Sequence, residues 1–139
     1  MSARAVTVRE SGPYARTIDV GPHHLSADEP APIGTDLGPT PVELLLSALG
    51  ACTSMTVRMY AQRKGWELTA VDVKLRMDYR NGPRRRIVKD VEIFGDLDGQ
   101  QIDRLATIAE HCPVQRMLSD SVHVDTRTVA RPGSPVAAA

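Results

Sequence analysis

Residues 40–65, TPVELLLSALGACTSMTVRMYAQRKG, decide the fold class. Thr40 can cap a helix, Pro41 suits the first helical position, where no N–H is needed, and Glu43 stands three residues after the cap. Gly65 can supply a left-handed stop. The pattern predicts a helix from Pro41 to Lys64. Its first half is apolar nearly all round (Leu44, Leu45, Leu46, Ala48, Leu49, Ala51), as in a helix covered on most sides. Its second half carries Arg58, Gln62, Arg63 and Lys64 and is expected to reach solvent. At 1.5 Å per residue the rod would be roughly 35 Å long, which is long for so small a chain. Part of its cover is expected from a second subunit.

Upstream, the chain has the pattern of short strands. Val6 and Val8 alternate with Thr7 and Arg9; Tyr14, Ile18 and Val20 share a face with Arg16; His23 to Asp28 make a third candidate. Glu10-Ser11-Gly12-Pro13 and Gly21-Pro22 supply turns. A loop, Glu29 to Pro39, leads to the helix. Downstream, Leu68 to Arg80 alternates strictly, with Val71, Val73, Leu75, Met77 and Tyr79 on one face, which predicts a half-buried strand. Asn81-Gly82-Pro83 turns the chain. Ile87, Val91 and Ile93 mark the return strand, whose apolar face Lys89 interrupts. A capped helix from Asp98 carries Ile102, Leu105, Ile108 and Ala109 as its stripe and ends near His111. Cys112-Pro113 opens a short helix through Ser119, and Val122 and Val124 suggest a last strand. The expected class is α+β: an antiparallel sheet wrapped around a long central helix and a shorter one, in a single domain over 1–130, with a disordered tail at 131–139.

Composition narrows the function. The 139 residues carry 17 basic and 17 acidic groups and only 4% aromatics, so neither an electrostatic footprint nor stacking platforms for nucleic acid are expected. The first ten residues lack the apolar stretch of a secretory signal. The run Leu44 to Cys52 is too short to cross a bilayer. No membrane association and a cytoplasmic location are the expectation.

Two cysteines in a reducing compartment leave catalytic, redox or packing roles. Cys52 lies about three turns into the long helix among small residues, Gly50, Ala51, Thr53 and Ser54, which leave room beside the sulfur. It is either a small core residue or an accessible thiol. Cys112 precedes Pro113 at a helix cap, where unpaired N–H groups favour a thiolate. As a pair they suggest one thiol oxidised to a sulfenic acid and a second that condenses with it, provided the Cα atoms come within about 7 Å. A mid-helix thiol in apolar surroundings needs a cation to ionise. Arg16, on an otherwise apolar strand face, is a candidate, as are His23, His24 and His111. Glu43 could orient such an arginine or simply cap its helix. Arg84-Arg85-Arg86 is most simply a solvated turn.

Gly38-Pro39-Thr40-Pro41-Val42-Glu43-Leu44-Leu45-Leu46 with Ala48 to Cys52, together with His111-Cys112-Pro113-Val114 and Met117-Leu118, resembles the OsmC/Ohr family of osmotically inducible and organic hydroperoxide resistance proteins. The resemblance extends from the first strands to about Thr128. It implies an intertwined homodimer with its active sites at the subunit interface, and reduction of organic hydroperoxides, or less efficiently of hydrogen peroxide. Cys52 would attack and Cys112 resolve, with no metal or organic cofactor, and a dithiol, often lipoyl-based, would restore the thiols. One departure stands out. The family's glutamate, ten residues before the first cysteine and paired with an activating arginine, is Val42 here, and the turn that holds that arginine reads Glu10-Ser11-Gly12-Pro13. That gap favours a second reading, a non-catalytic small-ligand binding dimer; a third is a redox sensor whose disulfide changes partner contacts.

Overall fold

A computed structural model describes residues 3–80, 82, 83 and 85–133. Strands β1 (Thr7–Glu10), β2 (Arg16–Val20) and β3 (His23–Ala27) form an antiparallel meander. The three upstream strands thus form as expected. Arg16 opposes Glu10 on one side and Ala27 on the other.

The loop that follows is organised by a carboxylate. Asp28 is buried, and its oxygens accept from the N–H of Glu29 (2.7 Å), Thr35 (3.2 Å) and Leu37 (3.2 Å) and from the Thr35 hydroxyl (2.9 Å). These donors outweigh the burial that would raise its pKa and hold it below the usual carboxylate range. Asp28 N–H also donates to Pro39 O at 3.2 Å, which closes the loop beside the helix cap.

Helix α1 (Pro41–Lys64) has the predicted limits. Glu43 N–H donates to Thr40 Oγ1 at 3.3 Å, and Thr40 N–H donates to Glu43 Oε2 at 2.9 Å, a complete capping box. Gly65, at φ 67°, ends the helix with its N–H on the last-turn carbonyls. By length and composition α1 would suffice to cross a bilayer, yet one of its faces packs on the β4–β5 hairpin and on two further helices.

Strands β4 (Glu67–Asp78) and β5 (Arg86–Asp96) form that hairpin, with Leu75 opposite Lys89 and Asp78 opposite Arg86. The expected alternation holds through Met77 and fails at the strand's end, where Tyr79, expected on the buried face, is exposed. Asp78, expected on the solvent face, is buried. Arg80 closes back on it through its N–H (3.1 Å) and guanidinium (2.9 and 3.0 Å), and Arg86 adds a bond at 3.2 Å, so the strand ends two residues early. Arg86 is therefore an ion-pair partner rather than a merely solvated residue. Arg85 stacks 5.8 Å from the Tyr79 ring, and Asn81 and Arg84 lie outside the described residues.

Helix α2 (Gly99–Ala109) starts with a second capping box, Asp98 with Gln101, and α3 (Pro113–Ser119) follows Cys112. Val57 and Ala61 of α1, Leu68 of β4, and Leu105 and Ala109 of α2 form the core, ringed by Trp66, Val71, Val91, Ile93 and Ile108. Arg58 fastens α1 to the start of β4, donating to Leu68 O (2.6 Å) and Thr69 O (2.9 Å).

The expected last strand is corrected. No described strand contains Val122 or Val124; both lie on a segment without regular structure and are exposed. Alternation alone does not make a strand when no neighbour pairs with its backbone. Of the expected tail, residues 131–133 are exposed, and 134–139 lie outside the described residues.

Candidate functional site

The two thiols meet where α1, β5 and the link from α2 to α3 converge. Cys52 is half-buried in mid-α1, and Cys112, at the N-cap of α3, is fully buried; both are free. Gly50, one turn before Thr53, lets α1 lie close on β4: a Cβ there would stand 2.7 Å from Leu75 Cδ1. That approach brings α1 down onto the hairpin where Lys89, opposite Leu75, points inward.

Lys89 Nζ donates to Thr53 Oγ1 (3.0 Å), Ala109 O (2.7 Å) and Gln115 Oε1 (2.5 Å). All three ammonium protons thus have acceptors, one each from α1, α2 and α3, and all three acceptors are neutral. Thr53 is buried; its hydroxyl bonds Leu49 O at 2.9 Å and lies 3.5 Å from Cys112 Sγ. Cys52 is close enough to Cys112 for its thiol to favour the neighbouring thiolate.

The balance at Cys112 favours ionisation. Burial pushes its pKa up, but the Thr53 hydroxyl, the Gln115 N–H, the Cys52 thiol and the Lys89 ammonium together bring it below the ordinary thiol value. The helix end contributes through that Gln115 N–H, and the Thr53 hydroxyl contributes more. Lys89 is shifted the other way. Burial lowers its pKa, against the opposing pull of Cys112, Glu110 and Cys52.

The residues proposed from sequence as activators sit elsewhere. Arg16 folds into its own β1–β2 turn, donating to Gly12 O (3.1 Å), Pro13 O (3.4 Å) and Ala15 O (2.8 Å) and pairing with Glu10 at 3.2 Å. Glu43 is occupied by the capping box. His111 is exposed, and its Nδ1–H donates to Thr107 O at 2.7 Å, capping the end of α2. Lys89 is the member of this cluster that sequence reasoning passed over. Its signal was the charge interrupting the apolar face of β5.

A groove of about 660 Å³ runs along α1 and β4, lined by residues such as Leu46, Ala51, Ser54 and Val73; neither sulfur lines it. Among the described residues, no group of three or more His, Cys, Asp or Glu is arranged to hold a metal ion.

The sequence profile of the OsmC-like protein family matches residues 34–127. No curated protein matches. Solved structures share the fold. An OsmC-like protein from Mycoplasma pneumoniae is 20% identical with a TM-score of 0.74, over 86% of this chain and 89% of that one. The organic hydroperoxide resistance protein OhrB of Bacillus subtilis is 23% identical with a TM-score of 0.56, over 86% and 93%. A Vibrio cholerae protein described as an organic hydroperoxide resistance protein, with captopril bound in one of its active sites, is 16% identical with a TM-score of 0.63, over 87% of each chain.

Proposed function

Because the chain belongs to the OsmC-like protein family, we propose that it is a thiol-dependent peroxidase that reduces organic hydroperoxides, or hydrogen peroxide, through Cys52 and Cys112. The observation that carries this reading is the adjacency of the two free thiols beside a half-buried ammonium, with Cys112 favoured as thiolate. Cys52, the more exposed sulfur, meets the peroxide and passes its proton to Cys112. Its thiolate attacks one peroxide oxygen, the O–O bond breaks, the alcohol leaves, and Cys52 becomes a sulfenic acid. The Cys112 sulfur then attacks the Cys52 sulfur, the S–O bond breaks, and the oxygen leaves as water. The two sulfurs supply both electrons. The pair's proton, the peroxide's own and one from solvent end on the alcohol and the water. An external dithiol, lipoyl-based in this reading, reduces the disulfide, and a reducing cytoplasm keeps the resting thiols free.

The working unit in this reading is a homodimer. Leu45, Met55 and Met59 form an exposed apolar face on α1, and Met55 is 65% exposed in the single chain.

Stoichiometric hydroperoxide followed by intact mass measurement tests the assignment. The wild type should lose two hydrogens, Cys52→Ser should stop consuming peroxide, and Cys112→Ser should react once and stall. Undiminished turnover in Cys52→Ser would end it. A second reading, a non-catalytic small-ligand binding dimer, draws support from the α1–β4 groove, which neither sulfur lines. It requires both thiols to be slow toward alkylating reagents in the folded protein.

A further inference from the structure

We propose that Lys89 is the positioning cation of the thiol pair: reaching in from β5, through Thr53 and Gln115, it holds Cys112 as the resolving thiolate. This rests on the thiol-pair reading and adds a residue to it.

Three observations converge. First, the ammonium has neutral acceptors on all three sides and, among the described residues, no carboxylate within ion-pairing distance. A charge drawn out of water in this way needs an opposite charge nearby. Second, the charged or titratable groups that face it are Cys112, Glu110 beside the end of α2, and Cys52 of α1. From β4 it meets Leu75, while Lys74 and Arg76 alternate onto the exposed face; from α3 it meets the neutral Gln115. Of these, Cys112 pulls on the ammonium most strongly, ahead of the Glu110 carboxylate. Third, the Thr53 hydroxyl stands between the two, accepting from Lys89 and within reach of the Cys112 sulfur. With Lys89 donating to its oxygen, the hydroxyl proton is free to turn from Leu49 O to the sulfur when Cys112 ionises.

The consequence is a linkage between redox state and charge. Disulfide formation removes the thiolate, so the ammonium loses its counter-ion and gives up its proton more readily; reduction restores both. By reciprocity, whatever Lys89 does for Cys112, Cys112 does for Lys89.

The test is a pH titration of thiolate ultraviolet absorbance in Cys52→Ser, where Cys112 is the only cysteine, against the same protein carrying Lys89→Met. Loss of the ammonium should raise the Cys112 midpoint by about one pH unit or more, and Lys89→Arg should return it toward the parent value. An unchanged midpoint in folded Lys89→Met overturns the proposal. Should that variant fail to fold, Cys112→Ser provides the reciprocal measurement. The Lys89 ammonium midpoint, followed by carbon NMR of labelled lysines, should fall, and an unmoved midpoint overturns the proposal equally. Both titrations are read without peroxide. A shifted midpoint in a protein that consumes no peroxide would therefore sink the peroxidase reading and leave the lysine's hold on the thiolate standing. A working peroxidase with an unshifted midpoint would sink only the role of Lys89.

Discussion

In the helix–hairpin body, Val57, Ala61 and Leu105 are sealed from solvent, whereas in the amino-terminal strands Val8 and Leu25 stand exposed. Both regions are patterned to bury one face. The body finds its cover within the chain, because α1, the β4–β5 hairpin and α2 supply one another's neighbours. The meander is tied to the rest mainly at its exit, where Asp28 gathers the N–H groups of the loop, and its outer apolar residues Val6, Val8 and Leu25 are left uncovered. The same holds for Val122 and Val124 at the other end of the chain. The lesson is that the thiol–lysine cluster is assembled within one chain, while the periphery leaves apolar side chains without cover from that chain.

The sharpest way to break this comparison is to delete equivalent carbon from each region. Leu105→Ala, in the sealed core, should cost about 2–5 kcal/mol in urea unfolding, since it opens a cavity among Val57, Leu68 and Ala109. Val8→Ala should change the stability of the isolated chain by no more than about 0.5 kcal/mol. A large loss from Val8→Ala in dilute, monomeric protein would mean that the meander is covered from within after all.

How much of this was legible depended on how local each cause was. The limits of α1 could be read because Thr40, Pro41, Glu43 and Gly65 act within a few residues of themselves. The alternation of β4 could be read for the same reason. Arg16 was rightly singled out as a cation in need of partners, but it found them in its own turn, within six residues. Lys89 could not be assigned. Its three acceptors come from three different helices, up to 36 residues away, and only packing brings them together. Asp28 was legible only as the end of the third candidate strand, because its burial depends on how the following loop closes over it. Val122 and Val124 have a strand's alternation, but sequence cannot supply the strand beside them.

The uncovered face of α1 offers a second and smaller effect. Met55 and Met59 are exposed in the single chain, so Met55→Glu with Met59→Glu should leave its helical content intact. If that face is buried against a second copy, the two charges should weaken the dimer by about tenfold or more, read by sedimentation at several concentrations. A wild-type protein that sediments as a monomer at micromolar concentration, or a variant whose dimer is undisturbed, would contradict the idea that this face is shared.

The smallest effect separates the regions by the kind of carboxylate each buries. Asp28 is held by neutral donors, chiefly backbone N–H groups, and Asp78 by Arg80 and Arg86. Hydrogen bonds from Arg80, foremost, hold Asp78 well below the usual carboxylate range, and burial holds it back less than those bonds pull it down. A depressed acid binds fewer protons folded than unfolded, so each group's contribution is complete above the unfolded aspartate pKa of about 3.9 and is lost as pH falls through the lower folded value. Asp78→Asn should therefore flatten the decline of stability below about pH 4, and so should Asp28→Asn. Salt tells them apart. The guanidiniums on Asp78 are exposed, so added salt should shrink the difference between wild type and Asp78→Asn, whereas the N–H donors on Asp28 are uncharged and the Asp28→Asn difference should hold. Equal salt sensitivity in the two variants would show that the loop before α1 and the tip of the hairpin are held by the same kind of force.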